Sequence, residues 1–145
     1  MDAADFITLS GKLVAMGTSG ARSAVSRAYY GAFHLAQDLL SDLAAESCGS
    51  GKAHNLVPLY IGSANHPDAK IAADLLSDLH SDRVKADYSL GLPKAESQQF
   101  AMHGVESAHE IQRRLALFRE ECEQDIEIRR RLREGIARIK AAFNA

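Results

Sequence analysis

Apolar residues recur at intervals of three and four along most of the chain, and nowhere alternate over a strand-length run closed by hairpin turns. The pattern predicts an all-α protein. A first helix runs from Ala3 to Met16, with Phe6, Leu9, Leu13 and Met16 on one face. The glycines of "GTSG" at 17 to 20 break it. A second helix runs from Ala21 to Glu46, and Val25, Ala28, Tyr29, Ala32, Phe33, Ala36, Leu39, Leu40 and Leu43 form its apolar stripe. Ala24, Ala28, Gly31 and Ala32 would let a neighbouring helix come close. After the loop "CGSGK" at 48 to 52, a short third helix covers Leu56 to Ile61, with Pro58 best accommodated in a first turn. A fourth runs from Pro67 to Tyr88 with Ile71, Leu75, Leu76 and Leu79 inward.

The rest of the chain, from Ala95 to Ala142, has no proline and reads as a fifth helix. Ala108, Ile111, Leu115, Phe118 and Cys122 form one stripe; Ile128, Leu132, Ile136, Ile139 and Phe143 form another after a slip of phase, which marks a stutter or break near 123 to 127. Unbroken, such a helix would span ~70 Å at 1.5 Å per residue, so its end must protrude, fold back or pack on a partner. The expected architecture is an up-and-down bundle of four to five helices with a long C-terminal helix. Residues 1 to 118 make the bundle, and 119 to 145 a helical extension for oligomerisation or partner contact.

The composition changes this picture little. The 145 residues suit one domain; 46% are hydrophobic and 25% charged, as in a globular protein, and the net charge of −2 gives no reason to expect bulk nucleic-acid binding. Charge is uneven, however. Arg129, Arg130, Arg131, Arg133, Arg138 and Lys140 follow the acidic run Glu120, Glu121, Glu123, Asp125 and Glu127. Pairing with the acidic stretch of a second copy is favoured over contact with nucleic acid. Cys48 and Cys122 lack CxxC spacing and read as two thiols of a reducing compartment. "MDAADFITLS" has no basic n-region, and no apolar run reaches the ~18 residues of a membrane span, so a cytoplasmic protein without membrane contact is expected.

Two helices carry candidate chemistry. On the second, Ser26, Tyr30 and His34 lie on one stripe at i, i+4, i+8, beside the apolar stripe Val25, Tyr29, Phe33. Taken alone, Tyr30 is a boundary tyrosine with a wet hydroxyl and His34 a hydrogen-bonded filler. On the fourth, Arg83 and Asp87 are i, i+4 and Tyr88 closes the helix. Alone, these are a surface ion pair worth a few tenths of a kcal/mol.

Together, "AVSRAYYGAFHLA", "HNLVPLY" and "DLHSDRVKADY" resemble the HEPN superfamily, in particular its small prokaryotic members, over residues 5 to 118. The resemblance implies a dimerising bundle of four or five helices. Many such proteins are metal-independent ribonucleases, often toxins paired with a small nucleotidyltransferase antitoxin; others bind nucleotides or RNA, or serve as scaffolds. In the nucleases an arginine on the fourth helix is followed five to seven residues later by a histidine, and two such motifs meet across the dimer. Here Arg83 is present, but Tyr88 stands where the histidine would be, preceded by Asp87. Ribonuclease chemistry of this kind needs a base for the 2′-hydroxyl and an acid for the 5′-oxygen. Histidine suits both, whereas tyrosine, with an ordinary pKa of about 10, is a poor base at neutral pH. Arg83 can clamp a phosphate and stabilise the charge of the intermediate, and His34 or His80, the latter i−3 from Arg83, would supply the missing function.

The catalytic candidates implied are therefore Arg83, Tyr88, Asp87, His34 and His80, and the RNA- or nucleotide-binding candidates Ser26, Arg27, Tyr30 and His54. Tyr30, Ser26 and His34 are expected to face a polar cleft beside the fourth helix, Tyr29 to pack between helices two and five, and Arg27 to pair with Asp87. No cofactor or metal is expected. There is no GxxxxGK[ST], no GxGxxG after a strand and no HExxH, His103 and His109 lack a completing carboxylate, and Glu106 with Glu110 reads as a solvated pair. The expected partners are a second copy of the chain or a higher oligomer, RNA or a nucleotide, and an antitoxin of the nucleotidyltransferase type. Three readings stay open: an RNA-cleaving toxin or defence effector, a non-catalytic binding module, and a helical oligomerisation protein.

Overall fold

The computed structural model describes residues 1–49 and 51–144. Ser50, in the expected loop, and Ala145, at the end of the expected extension, lie outside them. The described residues form an all-α bundle: α1 (Ala3–Leu13), α2 (Gly17–Ala44), α3 (Ala53–Gly62), α4 (Pro67–Tyr88), α5 (Gln98–Gln124) and α6 (Ile126–Phe143), with a 3₁₀ turn at Pro93–Glu96 before α5. None of these helices is long and apolar enough to cross a membrane.

Local chemistry sets the ends. Asp2 caps α1 in a reciprocal box with Asp5, His66 caps α4 with Pro67 in its first turn, and Ser97 caps α5. Several boundaries differ from the sequence reading. Helix one stops at Leu13, and α2 already begins at Gly17, whose φ of +76° turns the chain within three residues, so "GTSG" opens a helix instead of separating two. At its other end α2 stops at Ala44, because Ala45 takes the left-handed conformation and its N–H bonds back to Ser41. Helix three starts at Ala53, which puts Pro58 inside it; the bond that residue 58 would donate to the His54 carbonyl is missing. The proline-free stretch is two helices. Asp125 is extended (φ −133°, ψ 108°), ends α5 and caps α6 through its carboxylate, which accepts from Glu127 N at 2.9 Å.

The segment beyond residue 118 is consequently no separate extension. α6 folds back on α2, α3 and α5, and Leu132 and Ile136 join the same core as Tyr29, Leu40, Leu79, Ile111 and Phe118. Four of its six bases are used inside the chain. Arg129 and Arg133 donate to the Leu43 carbonyl at 3.0 and 3.1 Å, satisfying the open C-terminal end of α2. Arg130 pairs with Glu127, and Lys140 with Glu46 at 2.6 Å. The acidic partner expected from a second copy is, for these side chains, in the same molecule.

α2 runs through the centre and touches every other helix. The small-residue face at Gly31 seats α1: a Cβ there would lie 2.6 Å from Ile7 Cγ1 and 3.1 Å from the Ala3 carbonyl. α4 is fixed at both ends. At its start His66 bonds Glu121 of α5, and Arg114 of α5 reaches Asp68 at 2.8 Å. At its finish the Arg22 guanidinium of α2 donates to the carbonyls of Ala86, Ser89, Leu90 and Leu92 at 2.9–3.2 Å and to Glu96 at 3.2 Å. The turn of α4 that carries Arg83, Asp87 and Tyr88 is thereby held against α2.

Candidate functional site

Three helices converge around Arg83. Its Nε donates to Asp87 Oδ2 at 2.9 Å, one turn on, and its Nη2 donates to the Tyr30 hydroxyl of α2 at 2.7 Å. Ser26, one turn before Tyr30, donates to the same Asp87 oxygen at 3.3 Å. The i, i+4 stripes of α2 and α4 thus face each other and interlock. The Arg83 side chain is only 12% exposed, so the fork is held in place rather than waving in solvent. Among the described residues these two bonds occupy two of its five N–H donors, and the other three have no partner there. The exposed Tyr88 ring centre lies 5.5 Å from the guanidinium carbon.

Behind this fork stand two histidines. His54, in the first turn of α3, and His80 of α4 stack in parallel, with ring centres 5.1 Å apart and planes 3° from coincidence. Phe33 also stacks on His54, with ring centres 4.8 Å apart. The buried Tyr29 hydroxyl lies 2.6 Å from His54 Nδ1. Burial pushes the Tyr29 phenol upward, so it stays protonated. With the phenol donating, Nδ1 is the acceptor and the neutral ring carries its hydrogen on Nε2. Burial and then the Arg83 charge hold His54 below the ordinary 6.5. For His80 the causes are burial, His54 and Arg83, in that order. Both rings are therefore neutral at pH 7 and set beside a fixed cation, and among the described residues His80 has no hydrogen-bond partner on its ring nitrogens.

Several expected placements change. Tyr29 reaches α3 and α4, against His54 and His80. Its hydroxyl needed a buried acceptor, and α3 supplies one. Arg27 does not pair with Asp87, whose carboxylate is taken by Arg83 and Ser26; it lies 5.8 Å from the Phe6 ring centre and 5.9 Å from that of Tyr30. His34 stands apart from Arg83, on the α1 side of Tyr30, with its ring centre 5.9 Å from Phe6 and 6.4 Å from Tyr30. The structure therefore brings together Ser26, Tyr30, Arg83, Asp87, Tyr88, His54 and His80, and puts Arg27 and His34 next door. Two contributors were absent from the sequence reading of the site. Tyr29 was assigned wholly to the core, and Arg22 carries no local signal because its acceptors lie more than sixty residues downstream.

The grooves of about 880 Å³ between α4 and α5, about 500 Å³ between α3 and α6 and about 400 Å³ between α3 and α4 are lined by neither Arg83 nor the stacked imidazoles. No protein-family model, curated protein or solved structure matches the chain.

Proposed function

We propose that the chain is an RNA-directed protein of the HEPN type, with Arg83 as its phosphate clamp. One observation carries the reading: a guanidinium fixed on two sides by Asp87 and Tyr30, with three N–H donors to spare, adjoins a pair of neutral imidazoles. A phosphodiester accepts from Arg83 as a charge-assisted fork. His80 takes the proton of the attacking 2′-hydroxyl, and Arg83 stabilises the added charge as the phosphorus becomes five-coordinate. The conjugate imidazolium, or the Tyr88 phenol, returns a proton to the departing 5′-oxygen. The depressed histidines suit the base role better than the acid role at neutral pH.

The resemblance in "SRAYYGAFH" and "DRVKADY" supplies the setting: a cytoplasmic toxin or defence effector acting as a dimer, restrained by a nucleotidyltransferase-type antitoxin. A second reading has its own support. The position that would carry the motif histidine holds Tyr88, which is 70% exposed and unpaired among the described residues, as suits a base-stacking side chain of a non-catalytic RNA or nucleotide binder.

The test is cleavage of bulk RNA and tRNA by the purified protein in EDTA, beside Arg83→Ala and Tyr88→Phe. Cleavage that disappears with Arg83 supports the nuclease. No cleavage by the folded wild type, with RNA still bound in an Arg83-dependent way, supports the binder. Neither cleavage nor binding removes the RNA reading altogether.

A further inference from the structure

A second ring cluster adjoins the fork. Phe6 of α1 faces His34 of α2, whose ring also neighbours Tyr30, and the Arg27 guanidinium carbon lies within 6 Å of the ring centres of both Phe6 and Tyr30. Phe6 and His34 line a cavity of about 220 Å³ with Met1, Ala3 and Asp38. Asp38 continues the stripe Tyr30, His34 by a further turn. It is exposed, and among the described residues it makes no hydrogen bond or ion pair. Arg27 likewise has no acceptor among them. Tyr30 joins the two places: its ring centre is 5.1 Å from the Arg83 guanidinium carbon and 6.4 Å from the His34 ring. One aromatic residue separates the phosphate clamp from the cavity.

We propose that this cavity takes a single unpaired nucleobase, guanine before the others, of an RNA whose phosphate sits on Arg83. The inference rests on the RNA reading above and adds the strand state and base preference. Aromatic rings beside a cation form a stacking platform for any base. A base enters it only when free of its pairing partner, so single strands are taken and duplexes are not. The Asp38 carboxylate only accepts hydrogen bonds. Guanine offers it two donors on one edge, N1–H and the N2 amino group, whereas uracil offers a lone N3–H. Arg27 then lies where it can meet the next phosphate of the strand.

The experiment uses a short fluorescent oligouridine with uridine, guanosine or an abasic residue at its centre, and reads binding by anisotropy in EDTA. The wild type is expected to bind the guanosine strand about tenfold more tightly than the uridine strand, and the abasic strand most weakly. Asp38→Asn, at an exposed position that the fold does not need, should remove the guanosine preference while leaving uridine binding in place. Phe6→Ala should bring all three strands to the abasic level. Arg83→Ala should weaken all three alike. Equal affinity of the wild type for the three strands, still dependent on Arg83, would overturn the base site and leave the RNA reading standing. No binding of any strand would overturn both.

Discussion

His54 and His80 lie face to face, 3° from parallel, although they come from different helices and neither is fully buried. Both are held below the ordinary histidine value of 6.5. The sign of the consequence is fixed. Above pH 6.5 folded and unfolded chains both carry neutral rings, and the pair leaves stability unchanged. As the pH falls below 6.5 the unfolded chain binds protons that the folded chain resists, so stability declines until the folded rings also protonate. The melting temperature is therefore expected to fall between pH 7 and pH 5.5, and to fall less in His54→Gln/His80→Gln. Proton NMR should find both midpoints below 6.5. Arg83→Ala should raise them without restoring 6.5, since burial is the larger cause. Midpoints unchanged in that variant would show that Arg83 does not act on the pair.

Arg22 is expected to matter for stability more than a surface arginine does. Its guanidinium is 11% exposed and serves carbonyls at the end of α4 and the turn after it. Arg22→Ala leaves those carbonyls without their donor and should cost about 2–3 kcal/mol. Arg22→Lys should recover little, because one ammonium cannot reproduce a planar fork. Urea unfolding measures the loss. Hydrogen exchange should show faster opening near residues 85 to 92, and a uniform change across the chain would count against a local cap.

The sequence made α4 legible from end to end, because Pro67 opens it and the glycine of "SLGLP" follows it. The i, i+4 pairs Ser26–Tyr30 and Arg83–Asp87 were legible for the same reason: they share a helix, and helical phase is local. The break at Asp125 showed only as a slip of the apolar stripe, since no proline or glycine marks it. Long side chains were the illegible part. Periodicity assigned Tyr29 correctly to the buried face but could not say that its hydroxyl ends on His54. Nor could it turn Arg27 toward Phe6, because that ring lies on a different helix and a flexible arginine follows the tertiary surroundings.

The fold-back of α6 gives a direct stability test. Leu132 is fully buried in the common core, and Leu132→Ala should cost about 2–4 kcal/mol. Gly135 passes so close to α3 that a Cβ would lie 2.5 Å from the Ser63 carbonyl oxygen and 2.7 Å from Ser63 Cβ. Gly135→Ala should therefore destabilise by about 1–3 kcal/mol despite the better helix propensity of alanine. A single unfolding transition, shifted by both variants, is expected. A separate early transition for α6 alone would mean that the last helix does not share the cooperative core.

On the proposed RNA reading, Asp87 should separate binding from catalysis at the fork. Its carboxylate orients Arg83 through Nε but also sets a negative charge beside any phosphate that approaches. Asp87→Asn removes the repulsion and keeps a side-chain oxygen able to accept from Nε. RNA affinity should therefore rise, by a few-fold at low salt and less at high salt. Cleavage depends on where the guanidinium points, and a weaker neutral acceptor lets it wander from the place where charge develops. In a nuclease the same variant should bind more tightly and cleave more slowly. Tyr30→Phe, which loses the other anchor without changing the charge, should slow cleavage with little gain in affinity. Anisotropy and single-turnover cleavage on one RNA distinguish the cases: weaker binding by Asp87→Asn would mean that the carboxylate positions the phosphate clamp for binding itself, and that orientation outweighs charge at this site.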